Sequence, residues 1–419
     1  MSTNPAILRS IFDQVVDLSP TERAAALGRL CADNPAIRAE LDALLASHDA
    51  ARVGGFMTSP TAATTIRNAP ITETPGARVG PYKLLQIIGE GGFGTVFLAE
   101  QSEPVRRRVA LKIIKLGMDT KQVIARFEAE RQALALMDHP HIARVLDAGA
   151  TPITEHGGGR PYFVMEYVVG DAITQFAANN NLDLRARLEL FAQVCSAVQH
   201  AHTKGIIHRD IKPGNVLVTM TDGKPFARVI DFGIAKATSS AGGLTDKTLF
   251  TEHRQLIGTP EYMSPEQAQG SPDIDTRTDV YALGVLLYEL LAGDTPFDGK
   301  RLRSAAWDEM RRIIKEEDPP TPSARVTQRM NISLANKQPE RERGRSSASE
   351  HDAPNVGSTT PSLTVGLPAS ILRGELDWIV MKSLDKDRAR RYETPSALAA
   401  DVERHLKGEA VTAAPPSAA

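Results

Sequence analysis

Cysteine is almost absent from this chain: Cys31 and Cys195 are the only two among 419 residues. They lie far apart and neither has metal-type spacing. The sequence therefore fits a reducing cytosol better than a disulfide-built fold. An excess of one charge sign is missing too. Forty-nine Lys and Arg against 51 Asp and Glu leave a formal charge of −2, which argues against a nucleic-acid partner. Long hydrophobic runs are also missing. The longest apolar-rich stretch, Val280 to Gly293, is short and interrupted by Glu289, well under the roughly 20 residues of a membrane span. Met1-Ser2-Thr3-Asn4-Pro5 has no basic cluster followed by an apolar segment, so no signal peptide is predicted. Together these absences predict a soluble cytoplasmic protein without a membrane span.

What is present is ordinary in bulk and specific in detail. Apolar residues at 42% and charged residues at 24% are globular values. The length suits one large two-lobed domain with extensions. Residues 1–51 read as a small helical segment. Ser19-Pro20-Thr21-Glu22 is a capping box with proline at N1, and Asn34-Pro35 repeats the signal. Residues 52–80 have the Thr, Pro, Ala and Gly content of a linker. The main domain is predicted over 81–408, with strands at Tyr82–Ile88, Thr95–Glu100, Arg107–Lys115 and Arg160–Tyr167, and a helix at Lys121–Met137. Beyond Asp171 the pattern is mainly helical. Leu188, Phe191, Ala192, Cys195 and Val198 mark one buried helix face, and Thr278–Leu291 another apolar helix. Residues 318–368, with proline pairs and a charge run at Glu340–Arg343, read as a mobile insertion. The tail, 409–419, reads as disordered.

Chemistry concentrates in His208-Arg209-Asp210-Ile211-Lys212-Pro213-Gly214-Asn215 and in Asp231-Phe232-Gly233. Asp210 can accept a hydroxyl proton and Lys212 can neutralise a phosphoryl group. Asn215 and Asp231 offer oxygens to Mg²⁺, a hard cation. These are the parts of a phosphoryl-transfer site, which works by aiming, clamping and neutralising. Upstream, Gly89, Gly91 and Gly94 form G-x-G-x-x-G. A dinucleotide-binding loop of that spacing opens a helix, whereas here Thr95-Val96-Phe97-Leu98-Ala99 is β-rich, so the loop is a strand-turn-strand flap. Lys112 sits on an alternating apolar strand and needs an anion nearby. Glu130 is the best helix carboxylate for it, since Glu128 faces elsewhere. His139 and His141 form a His-x-His, two side chains of a type that can hold a metal.

Loop, strand lysine, helix glutamate, His-Arg-Asp loop and Asp-Phe-Gly follow the order of the protein-kinase signature set. From about Tyr82 to Leu406 the chain resembles eukaryotic-type (Hanks-type) serine/threonine protein kinases of bacterial style. That resemblance implies an α+β, two-lobed protein-kinase fold. Its N-lobe (about 81–167) would hold an antiparallel sheet and one main helix, and its C-lobe (about 171–408) would be mostly helical. The implied cofactors are ATP and Mg²⁺, with Mn²⁺ as an alternative, and the implied partners are proteins bearing Ser or Thr. The resemblance gives Gly89, Gly91 and Gly94 the role of covering ATP. Lys112 would hold its phosphates and pair with Glu130. Ile88, Val96, Ala110 and Leu217 would enclose adenine, with Met165 as gatekeeper and Glu166 to Val168 as hinge. Asp210 becomes the catalytic base, and Asn215 and Asp231 the metal ligands. Asp279 would brace the catalytic loop, Glu266 would pair with Arg391, and Thr259 would contact Lys212. His139 and His141 would belong to the loop that follows the glutamate helix and not to a metal site. Lys212 and Thr259 favour Ser/Thr acceptors. Arg209 implies control by autophosphorylation at Thr248 or Thr251, with a homodimer as the route to trans-phosphorylation. The competing readings are a pseudokinase scaffold that binds ATP and partners, and a small-molecule kinase of related fold.

Overall fold

The computed structural model of the protein describes Ala26–Gly28, Leu30, Arg38 and residues 73–91, 94–114, 137–151, 159–232, 259–337 and 366–414. The N-terminal unit, Met1–Asn68, is helical at Ala26–Gly28, Leu30 and Arg38. The rest of the segment predicted over 1–51 lies outside the described residues.

The second unit, Ala69–Ala419, opens on a six-stranded antiparallel sheet. Its strands are β1 (Arg78–Val79), β2 (Tyr82–Gly91), β3 (Gly94–Gln101), β4 (Arg107–Ile114), β5 (Val145–Ala150) and β6 (Pro161–Glu166), in the order β1-β2-β3-β4-β6-β5. Strand β4 shows why the sheet forms. Val109, Leu111 and Ile113 are fully buried and alternate with Ala110, Lys112 and Ile114, so the two sets lie on opposite faces. The first set packs with Leu84, Phe97 and Val164 in an N-lobe core. Across the other face, Phe163 joins the core of the second lobe. The domain starts earlier than the predicted Pro81: Arg78 already pairs with Lys83, and the Gly76 N–H donates to the Leu84 carbonyl at 2.8 Å. The helix predicted over Lys121–Met137 lies, apart from Met137, outside the described residues.

The second lobe is mainly helical. It contains α1 (Ile173–Asn179), α2 (Leu184–Thr203), α3 (Pro265–Ala268), α4 (Arg277–Ala292), α5 (Gly299–Ser304), α6 (Trp307–Glu316), α7 (Pro322–Lys337), α8 (Ala369–Leu372), α9 (Glu375–Ser383) and α10 (Pro395–Lys407). Asp183 caps α2, accepting from the Ala186 N–H at 2.8 Å. Leu188, Phe191, Cys195 and Val198 are fully buried on that helix, and burial pushes the Cys195 thiol pKa up. Helix α4 runs through the middle of the lobe: from Thr278 to Ala292 every residue except Glu289 is buried. A Cβ at Gly284 would lie 2.6 Å from the Ser383 Cβ. Only glycine lets α4 and α9 approach so closely.

Two boundaries differ from expectation. Residues 322–337, inside the predicted insertion, are helical. Pro322 takes the first helical position, the Thr321 hydroxyl accepts from the Ala324 N–H at 3.3 Å, and Ser323 is tied to Asp377 by its N–H (3.0 Å) and hydroxyl (2.6 Å). A cap followed by proline starts a helix, so the proline cluster marks an element and not a loop. Residues 338–365 of that predicted insertion lie outside the described residues. The predicted disordered tail is held as far as Ala413. Asp401, fully buried, accepts from the N–H groups of Thr412 and Ala413 and from the hydroxyls of Thr412 and Tyr392.

Candidate active site

A small second sheet builds the floor of the site. Its strands β7 (Asp171–Ala172), β8 (Val216–Thr221) and β9 (Lys224–Val229) run in that order. Val216 pairs with Val229, and the Ile230 N–H donates to the Asn215 carbonyl at 2.9 Å. The hairpin therefore sets Asn215, just before β8, beside the backbone that leads into Asp231. Val216 and Val218 face the core while Leu217 alternates away from it. On the opposite sheet, Val96 pairs with Lys112 and Ala110 with Met165. Cross-strand partners share a face, so these four side chains stand together, on the face of β4 away from the N-lobe core.

Polar contacts link the motifs. The Lys112 ammonium pairs with Asp231 Oδ1. Lys212 Nζ donates to Asp210 Oδ2 at 2.8 Å. Asn215 Nδ2 donates to the Asp210 carbonyl at 2.8 Å and to its Oδ2 at 3.0 Å. Asp231 has φ of 56°, in the left-handed region where a non-glycine residue is strained, and Arg209 has φ of 61°. Such strain persists only where surrounding contacts enforce it. For Arg209 those contacts come from Asp279, fully buried at the start of α4. Its carboxylate accepts the N–H groups of His208 (2.7 Å) and Arg209 (2.8 Å) and pairs with His202 Nε2 at 2.7 Å. His208 is fully buried. Its Nδ1 accepts the Asp210 N–H at 3.3 Å, its Nε2 meets the Ile230 carbonyl at 3.3 Å, and its ring lies 4.5 Å from that of Phe232. Burial lowers its pKa despite three nearby carboxylates, which matches a neutral ring carrying its proton on Nε2.

In the glycine flap Gly89 pairs with Val96 and Gly91 with Gly94. The glycines differ in what they require. Space is open around Gly91, whereas a Cβ at Gly94 would lie 2.3 Å from the Ile113 carbonyl oxygen. Gly94→Ala is accordingly expected to destabilise the β3–β4 pairing by about 1–3 kcal/mol, and Gly91→Ala to leave stability unchanged. Thermal melts of the two variants check this.

Three calls gain or lose detail. Arg391 is buried and bidentate on Glu266, at 2.8 and 2.9 Å. Lys212 has no hydrogen bond to Thr259 among the described residues. Glu130, Gly233, Thr245, Thr248 and Thr251 lie outside the described residues. Exposed Ile88 lies where the β2–β3 pairing slips, and at the start of the segment predicted as hinge the Glu166 N–H donates to the Arg144 carbonyl at 2.9 Å. Sequence reasoning missed the capping role of Ser264. Its hydroxyl caps α3 in a capping box with Gln267 and meets Thr278 Oγ1 at 2.6 Å, while Gln267 Nε2 donates to the Arg209 carbonyl at 3.1 Å. The Ser-x-x-Gln spacing carried that signal. It also missed Glu289, which accepts the Tyr262 hydroxyl.

Burial, with Asp294 and Glu261 nearby, pushes the Glu289 pKa up to about 7. The folded chain therefore holds a proton there that the unfolded chain releases near 4.5. Stability at this group is complete below that value and falls as pH rises towards 7. Glu289→Gln is expected to remove that fall and to stabilise the protein at pH 8 by about 1–3 kcal/mol, checked by urea melts at pH 5 and pH 8.

A protein kinase domain model matches residues 82–400. The chain belongs to the protein kinase family. This kinase is 36% identical over 275 residues to the serine/threonine-protein kinase Pkn1 of Myxococcus xanthus, covering 64% of this chain and 36% of that protein. It is 33% identical over 339 residues to PknB of Mycobacterium tuberculosis, covering 80% of this chain and 44% of that protein. The kinase thus spans less than half the length of these relatives. In fold it is similar to the crystal structure of a double mutant of the Mycobacterium tuberculosis PknI kinase domain, with a TM-score of 0.52 and 23% identity over 80% of this chain and 99% of that one. The antiparallel N-lobe sheet and helical second lobe are those of the two-lobed kinase fold. No helix among the described residues is long and apolar enough to cross a membrane.

Proposed function

We propose that this chain is a serine/threonine protein kinase that transfers the γ-phosphate of ATP to protein hydroxyls with Mg²⁺, or Mn²⁺ in its place. The observation that carries this reading is the Asp210–Lys212–Asn215 hydrogen-bonded cluster, joined through the β8–β9 hairpin to the Lys112–Asp231 pair. Asp210 is the base that receives the acceptor's hydroxyl proton. Its carboxylate is aimed by Lys212 and Asn215, and Lys212 also faces the phosphoryl group in transit. The donor set suits a hard cation. Asn215 commits its Nδ2 to Asp210, which leaves the amide oxygen for a metal, and Asp231 keeps Oδ2 beside the oxygen that holds Lys112. Mg²⁺ typically takes one or two protein oxygens and completes its shell with phosphates and water. The metal supplies neutralisation of the β- and γ-phosphates. Lys112 and Asp231 neutralise each other here; with nucleotide and metal bound, Lys112 would face the phosphates and Asp231 the cation. Val96, Ala110, Met165 and Leu217 offer adenine an apolar slot beside the hinge.

The test is incubation with γ-labelled ATP, Mg²⁺ and casein, followed by phosphoamino-acid analysis. Label on serine and threonine is expected. Phosphotyrosine as the main product, or no transfer while ATP still binds, overturns the reading. Intact mass and peptide mapping of the same sample are expected to place autophosphorylation at Thr248 or Thr251.

A further inference from the structure

We propose that a recess beside the hinge is a second ligand site, selective for a small organic phosphate. The recess has a volume of 440 Å³ and lies between the start of β4, residues 139–146, the hinge and β9. Of the residues assigned to ATP only Glu166 and Tyr167 of the hinge border it, and none of the flap glycines, Val96, Ala110, Lys112, Leu217 or Asp231 does, so it is not the nucleotide cleft under another name.

Its chemistry is cationic. Arg107, Arg108, Arg144 and Arg228 line it with Glu166 and His139. Four arginines and one glutamate border it, on a chain whose formal net charge is −2. Internal partners leave part of this charge unmet. Arg228 is paired with Glu166, and Arg144 holds Asp138 at 2.8 Å in a pair that is mostly solvent-exposed. Arg107 donates its Nε to the neutral Gln101 amide at 2.7 Å. Arg108, exposed, has no ion-pair partner among the described residues. Guanidinium forks match phosphate oxygens two at a time, and several arginines bordering one cavity favour a phosphate over a single carboxylate.

The remaining wall is apolar. Pro140, Ile142, Leu146 and Tyr167 supply it. Inorganic phosphate would leave that wall wet, whereas a phosphorylated organic molecule fills it. The volume lies within the roughly 300–1,000 Å³ typical of small-molecule sites. A nucleic acid or a lipid surface would instead need a broad basic face, whereas these arginines border one recess.

Position gives the site a consequence. The Glu166 carboxylate is held by Arg228 from β9, and its N–H by the Arg144 carbonyl. A phosphate that draws the guanidinium of Arg228 shifts the first residue of the hinge. Anion binding and nucleotide binding are then coupled, equally in both directions. This coupling rests on the ATP reading above, whereas the site itself does not.

The experiment is calorimetric titration of the full chain in phosphate-free buffer. Fructose 1,6-bisphosphate is the organic probe and pyrophosphate the inorganic one. Each is titrated into wild type, into Lys112→Met to disable the phosphate end of the cleft, and into the double variant Arg108→Glu, Arg144→Glu. Fructose 1,6-bisphosphate is expected to bind wild type and Lys112→Met alike and more tightly than pyrophosphate, and to bind the double variant at least tenfold more weakly. Both exchanged arginines are exposed, so matching melting temperatures certify the fold. Unchanged affinity in the double variant, loss of binding in Lys112→Met, or no binding of either probe to wild type would sink the site. Pyrophosphate binding as tightly as the sugar phosphate would remove the organic part of the claim. If the site holds and casein phosphorylation fails, the proposed function alone is lost.

Discussion

Asp210→Asn is expected to slow phosphoryl transfer by about 10²–10⁴-fold while ATP affinity and melting temperature stay near wild type. The substitution replaces one carboxylate oxygen by an amide of the same shape. The hydrogen bond from Asn215 to the Asp210 carbonyl (2.8 Å) survives because it uses the main chain. The bonds to Oδ2 from Lys212 and Asn215 are the ones at risk. What disappears is a group able to take a proton at neutral pH. Asp210 is not among the residues that hold ATP, so binding and chemistry should separate. Single-turnover transfer beside equilibrium ATP binding measures both. A rate within tenfold of wild type would show that Asp210 is not the base.

The largest loss of stability is expected from Arg391→Ala, about 3–5 kcal/mol. The Arg391 side chain is fully buried and its fork grips Glu266. It also donates Nε to the Asp385 carbonyl at 2.8 Å and lies 5.1 Å from the Tyr281 ring centre. Burial alone would raise the Glu266 pKa, yet its hydrogen bonds and ion pair with Arg391 hold the carboxyl below its ordinary value. Removing the arginine leaves a buried carboxylate unpaired. The companion variant is Arg391→Met with Glu266→Leu, in which both charges go and apolar volume stays. It should cost clearly less than Arg391→Ala, because taking one partner leaves a desolvated charge and taking both does not. Urea titrations of the two variants and wild type check the order. Equal losses would mean that shape and not charge carries the contact.

Much of this was legible in the sequence because kinase chemistry is written in short contiguous motifs. Asp210, Lys212 and Asn215 lie within six positions, and the structure brings them into one hydrogen-bonded cluster. The strands of the N-lobe were legible through alternation, as at Val109 to Ile114. The partner of Lys112 was less legible, since the choice among Asp231, Glu130 and a phosphate depends on what else is bound. The β7–β9 sheet escaped notice because two-residue Asp171–Ala172 has no period to read. Helix α7 escaped because Pro319, Pro320 and Pro322 suggest a loop until Thr321 is recognised as its cap. The hold on the tail escaped because it depends on one distant carboxylate, Asp401.

Helix α4 suggests how this protein should fail. Asp279 near its first turn fixes the backbone of His208 and Arg209, Thr278 beside it holds Ser264, and Glu289 near its last turn holds Tyr262. The His208–Arg209 backbone, Tyr262 and Ser264 are thus moored to one rod, and that rod cannot loosen without opening the core around it. Warming should therefore not yield a folded but crippled enzyme. Inactivation and collapse of the helical lobe should follow a single curve, all-or-none.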